Sequence, residues 1–180
     1  MIKMVTGKSV ADKVKGDRSI FERISLYIPF YRGYRARNLR RDVDREVRVA
    51  VSKIIKATKT ELENVHREIM GSGDIAVGRK VERIRNKVDT YNTKVEKAAA
   101  GYSGIWASVK KNEEELDAVV EFDAKLLESA DALRKDAEAL RNSVGDEGMD
   151  QLIKEFERKV DSLIEIYAER ELVLKGLAEA

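Results

Sequence analysis

Two interleaved seven-residue series dominate this chain. Stepping by seven from Val77 gives Ile84, Tyr91, Ala98, Ile105, Asn112, Val119, Leu126, Leu133 and Leu140. Stepping from Val81 gives Val88, Val95, Tyr102, Val109, Leu116, Asp123, Ala130, Ala137 and Val144. Eighteen of the twenty positions are apolar or aromatic, Asn112 and Asp123 being the exceptions. A heptad pattern kept this long requires helices packed along a common seam. The fold class it implies is all-α, with long antiparallel helices forming an elongated coiled-coil-like assembly or a four-helix bundle. The phase also survives Gly101-Tyr102-Ser103-Gly104, where a loop would usually reset it. That predicts a single helix of nearly seventy residues, roughly 100 Å long at 1.5 Å per residue. The alternative is a tight turn there, giving two antiparallel helices.

Helical periodicity continues on both sides. Leu39, Val43, Val47, Ala50, Ile54, Leu62, Val65 and Ile69 make one apolar stripe, closed by Gly71-Ser72-Gly73-Asp74. Glycine there suits a C-terminal cap, and Ser72 or Asp74 suits the next N-cap. Val144-Gly145-Asp146-Glu147-Gly148 is the second break. Beyond it lies a last helix with Ile153, Phe156, Val160, Leu163, Tyr167, Leu174 and Leu177 on one side. The outer helices together match the span of the central one, so they are expected end to end against it or folded into an ordinary bundle. A thin rod would leave apolar surface open and favour self-association.

Residues 1–34 read as a basic N-terminal arm and 35–180 as the bundle. Gly7 and Gly16 punctuate a loose start, with one helical turn expected over Val10–Val14. Ser19-Ile20-Phe21-Glu22 has the form of a capping box. The short helix behind it should place Ile20, Ile24 and Tyr27 or Ile28 on one face. Pro29, the single proline, ends that helix, and Phe30 to Tyr34 form an elbow in which Gly33 supplies backbone freedom.

A net charge of +2 conceals a gradient. Residues 1–60 carry 16 Lys and Arg against 6 Asp and Glu, whereas residues 111–180 carry 10 against 20. Such asymmetry fits a basic face for an anionic partner, internal pairing between a basic and an acidic helix, or contact between copies. The chain has no Cys, which excludes disulfides, thiolate metal sites and Cys nucleophiles. Its single His, His66, lies off the apolar stripe and reads as a surface residue; a lone His excludes paired Glu-x-x-His di-iron sites. No phosphate-binding loop or nucleophile elbow is present. Glu113, Glu114, Glu115, Asp117, Glu121 and Asp123 could bind a cation, but they match no calcium loop and read as a solvated face. No enzyme activity, cofactor, metal or small-molecule substrate is expected. Without an apolar run of membrane-span length or a signal-peptide core, a cytoplasmic location is expected.

The best candidate site is the elbow together with the start of the first long helix: Tyr27, Phe30, Tyr31, Arg32, Tyr34, Arg35, Arg37, Arg40 and Arg41. Aromatics with arginines typify protein interfaces. They also suit an anionic membrane surface, and less well a nucleic acid. The structural alternative is that the rings plug one end of the bundle and the arginines pair with the acidic third. The expected role is a non-enzymatic scaffold or protein-interaction module that associates with itself, its aromatics anchoring and its arginines orienting an acidic partner or the acidic end of another copy. Asn112 and Asp123 on core slots are expected to fix register, with arginines of the first long helix answering the carboxylate, or to sit where the seam opens to water.

Two stretches carry a resemblance. One is Ile28-Pro29-Phe30-Tyr31-Arg32-Gly33-Tyr34, with Leu39-Arg40-Arg41-Asp42-Val43-Asp44-Arg45 behind it. The other is Tyr102-Ser103-Gly104-Ile105-Trp106, with Leu116-Asp117 and Glu121-Phe122-Asp123 behind it. Together they resemble a group of uncharacterised helical proteins of bacteria and archaea, with an Ile-Pro-Gly-Tyr-x-Gly-Tyr-like opening and a Gly-Tyr-x-Gly-aromatic centre. Phe30 stands where those proteins have Gly. The resemblance implies an all-helical architecture and no catalytic role.

Overall fold

The computed structural model describes residues 19–98 and 113–179; residues 1–18 and 99–112, with the Gly101–Gly104 step and Asn112, lie outside the described residues. Four long helices make the fold: α1 (Arg40–Ser72), α2 (Ile75–Lys97), α3 (Glu113–Asn142) and α4 (Met149–Glu179). A short helical stretch over 19–25 and a 3-10 turn, Arg37–Leu39, precede them. The described residues contain no strand.

The breaks read from the sequence are where the chain turns. Gly73 ends α1 at φ 87°, its N–H donating to the Met70 carbonyl at 3.2 Å. That left-handed conformation favours glycine. Asp74 then caps α2, its carboxylate accepting the Val77 N–H at 3.1 Å. Residues 143–148 join α3 to α4.

Packing sets a ring in the order α1, α2, α4, α3, with α1 and α4 at opposite corners. Arg141 of α3 reaches Glu68 of α1 at 3.0 Å near the turns, and Arg170 of α4 reaches Asp44 of α1 at 2.8 Å near the other end. Thus α1 and α3 run one way and α2 and α4 the other. A nearly seventy-residue central helix is therefore excluded, and so is the end-to-end rod: α2 and α3 are antiparallel, and the chain reverses between 98 and 113. The phase persists because both helices bury their heptad rungs in one shared core. Ile84, Val88, Tyr91 and Val95 of α2 lie buried with Leu116, Val119, Leu126, Leu133 and Leu140 of α3.

The first stripe drifts by one residue from its expected course. Val51, Ile55 and Thr58 are buried, while Ala50 and Ile54 sit at the margin. The last stripe is buried as expected at Ile153, Phe156, Val160, Leu163, Tyr167 and Leu174, while the side chain of Leu177 lies outside the described residues. Among neighbouring helices, backbones approach least closely between α2 and α4. Long side chains close that seam: Lys80 with Asp150, Arg83 with Glu157 at 3.0 Å, Lys87 with Asp161, and Lys94 with Glu171 at 3.8 Å. Inside it, the Tyr91 and Tyr167 rings meet edge to face at 5.6 Å.

Leu126 is wholly buried, whereas Val49 lies on the outer surface of α1. Leu126→Ala should lower unfolding free energy by about 2–5 kcal/mol. Val49→Ala should change it by less than about 0.5 kcal/mol. Urea denaturation followed by circular dichroism measures both.

Candidate functional site

The elbow is built from the outside inward. Ile24 and Ile28 face the core, so the segment lies against the bundle, and Arg23 clamps Glu128 of α3 through two hydrogen bonds, one of 2.6 Å from Nε. After Pro29 the chain must turn sharply to bring two tyrosines inside. Phe30 takes φ 63° and Gly33 φ 66° to do so. A Cβ on Gly33 would stand 2.9 Å from the Phe21 ring, which also packs on Tyr31 at 5.6 Å.

The two tyrosines end on a buried carboxylate. Tyr31 and Tyr34 hydroxyls donate to Asp123 Oδ2 at 2.9 and 2.7 Å. Arg170 Nε donates to Asp123 Oδ1 at 2.7 Å, and its Nη2 donates to Asp44 Oδ1 at 2.8 Å and to the Tyr34 hydroxyl at 3.0 Å. Arg48 Nε fills Asp44 Oδ2 at 3.0 Å. Arg40 Nε holds the Tyr34 carbonyl at 2.8 Å. One network thus ties the elbow to α1, α3 and α4, and leaves Arg170 Nη1 buried without a hydrogen-bond partner.

Electrostatics reflect that burial. It pushes the Asp123 carboxyl up, against the pull of Arg170 and the two tyrosine hydrogen bonds. Burial alone would lower Arg170, but Asp123, Tyr34 and Asp44 carry it well above the ordinary arginine value. Burial, and then the Asp123 charge, hold Tyr31 and Tyr34 well above the usual phenol range. Tyr91 is raised by burial and by Tyr167. Arg40 is lowered by burial and by Arg37.

Several candidate contact residues are therefore interior. Tyr31, Tyr34 and Arg40 are buried and hold the elbow, which removes them from any contact surface. Asp123 is indeed a buried polar core residue, but its cation comes from α4 rather than from the first long helix. Tyr27 is half-buried, and Phe30, Arg32, Arg35, Arg37 and Arg41 are exposed. Arg35 lies 3.6 Å from Asp117, so part of the basic segment pairs with the acidic third. His66 is part-exposed, 3.9 Å from Glu82.

Exposed Phe30 was among the expected contact residues; what the sequence passed over is the apolar surface beside it, Leu26 and Val49. Leu26 is 81% exposed, Phe30 89% and Val49 60%. Val49 stands between two open grooves on the outer face of α1. One, of about 550 Å³, is lined by Arg45, Arg48, Ser52, Lys53, Lys56 and Glu96 as well as Val49. The other, of about 560 Å³, runs beneath Tyr27, Ile28 and Pro29, with Asp42, Arg45, Glu46 and Lys53 along α1. Arg32, Arg41, Arg45 and Lys53 have no ion-pair partner among the described residues. Val49 is thus an exposed apolar residue within a row of cations that no carboxylate answers among the described residues. Among the described residues, no cluster of His, Asp and Glu is placed to hold a metal, and no helix is long and apolar enough to cross a membrane. Comparisons with protein-family models, curated proteins and solved structures find no match to this chain.

Asp123→Leu strands the buried Arg170 charge with half its counter-ions and should lower unfolding free energy by about 3–5 kcal/mol in urea titrations. The raised tyrosines also set an alkaline limit. Below about pH 10 both states keep the phenol protons; above it the unfolded chain releases them first, so stability must fall as pH rises. Urea midpoints should drop between about pH 8 and pH 11, and Tyr91→Phe should shrink the drop without weakening the protein at neutral pH, because that hydroxyl is buried without a hydrogen bond.

Proposed function

We propose that this chain is a non-enzymatic helical module that binds protein, presenting the elbow and the outer face of α1 to an acidic, partly apolar surface. The observation that carries this is Phe30. A bulky side chain in the left-handed region costs roughly 1–2 kcal/mol relative to glycine, and here the ring contributes almost no burial in return. Strain retained on an exposed aromatic points to a use outside the isolated molecule. Leu26 and Val49 extend the apolar contact, and Arg32, Arg41, Arg45 and Lys53 select negative charge. The same elements would suit an anionic bilayer, which the test separates.

A photo-crosslinking phenylalanine derivative at position 30 should yield discrete protein adducts in cells, while one at position 67, toward the turn end of α1, should not. Phe30→Gly should leave stability unchanged or raise it by up to about 1 kcal/mol. In a strain with the crosslinker at position 26, the same change should reduce the adducts. Absence of adducts, or adducts replaced by salt-sensitive flotation with anionic vesicles, would overturn the reading.

A further inference from the structure

The basic row on α1 has a counterpart on the opposite corner of the ring. Arg41, Arg45, Val49 and Lys53 recur every four residues along the exposed side of α1. On α4, Glu165 and Glu169 are exposed four residues apart, neither has an ion-pair partner among the described residues, and Leu172 beside them is 67% exposed. Like charges at this spacing repel within each row. None forms an ion pair with a neighbour among the described residues: on α4, Glu157, Asp161 and Glu171 are engaged with α2, while Lys175 and Arg158 bound the acidic stretch at either end. On α1, Asp42 and Glu46 line the elbow-side groove with Arg45 and Lys53 and only partly offset their charge, and the flank toward α2 is cationic apart from Glu96.

Geometry prevents the two rows from meeting within one molecule. Each of α1 and α4 packs against both α2 and α3, so their outer faces point away from each other. The buried contact of Arg170 with Asp44 sets residue 170 level with residue 44. Because α1 and α4 run in opposite directions, Glu169 stands at the height of Arg45, and Glu165 falls at the height of Val49, within a lysine's reach of position 53.

We propose that copies of this chain associate side by side, the acidic face of α4 on one copy seated on the basic face of α1 on the next. This rests on the protein-binding reading above and names its partner as a second copy. Standing in the same orientation, two copies bring α4 and α1 together antiparallel, with Glu169 facing Arg45 and Glu165 facing Lys53. The two faces differ and lie on opposite sides, so the contact is heterologous. Every added copy exposes a fresh face of each kind, and an open row results rather than a closed pair.

Light scattering and sedimentation of the full chain should show a mean mass that rises with concentration without a fixed stoichiometry, and falls in about 0.5 M salt as the charges are screened. Arg45→Glu with Lys53→Glu, and separately Glu165→Lys with Glu169→Lys, should each weaken association at least tenfold while leaving the thermal melt intact. Mixing the two double variants should restore association, since the altered face of each then meets a complement on the other; the fourfold swap should restore it in one chain. A monomeric wild type, a fixed dimer, a double variant that assembles unchanged, or a mixture that stays dissociated would overturn the proposal. Adducts from position 30 to a different protein, with no assembly, would remove only the homotypic partner; loss of both would remove the binding reading as well.

Discussion

A guanidinium without access to water must be surrounded by counter-charge, and Arg170 is one. Asp123 of α3 takes its Nε and Asp44 of α1 takes its Nη2. Desolvating such a group is costly, and apolar side chains of similar volume would often stabilise the bundle as well or better. What the charges add is discrimination. Leucine on α4 could slide by a turn against leucine on α3, but Arg170 has only one height at which both carboxylates meet it. The same contact fixes α1 against α4 across the diagonal of the ring, where backbone packing gives no register.

The elbow is subordinate to that network. Asp123 has one oxygen left after Arg170, and two tyrosines from the elbow fill it. They stand three residues apart, so both can point inward only if the chain between and before them bends tightly. Gly33 bends without penalty, whereas Phe30 bends with its ring turned out. The strained aromatic at the surface and the satisfied carboxylate in the core are two ends of one arrangement. Arg40 secures it from α1 by holding the Tyr34 carbonyl.

Much of this was written in the residue pattern. The heptad series named the rungs of α2 and α3, the glycine breaks named both turns, and Asp123 stood out as a carboxylate on a core slot. Its partner was equally exposed to view: the last stripe steps from Leu163 to Tyr167 to Leu174, and the empty slot between them is Arg170. Asp44 sits next to buried Val43 and lies four residues from Arg48, a pairing that a stripe of apolar residues alone passes over. The reversal between α2 and α3 was not legible. Two helices lining the same core obey the same seven-residue rhythm, so chance agreement of phase imitates continuity. Nor could spacing show that Tyr31 and Tyr34 face inward while Phe30 faces out, since that depends on the left-handed turn at Phe30.

The charge gradient gains its meaning from what pairing leaves over. Arg23 and Arg35 are answered by Glu128 and Asp117 of α3, and Lys80, Arg83, Lys87 and Lys94 of α2 by carboxylates of α4. Those contacts close seams between helices, so folding itself accounts for them. The outer rows of α1 and α4 close no seam. Solubility would be served by charges of either sign, interspersed, yet Arg41, Arg45 and Lys53 share one four-residue row of α1 with Val49, and Glu165 and Glu169 share one on α4, all without an ion pair among the described residues. Segregation of that kind adds repulsion within a row and contributes nothing to the interior. A surface of the opposite sign and matching height brought against it would relieve that repulsion, which is why the proposed association rests on the unpaired remainder rather than on the gradient as a whole.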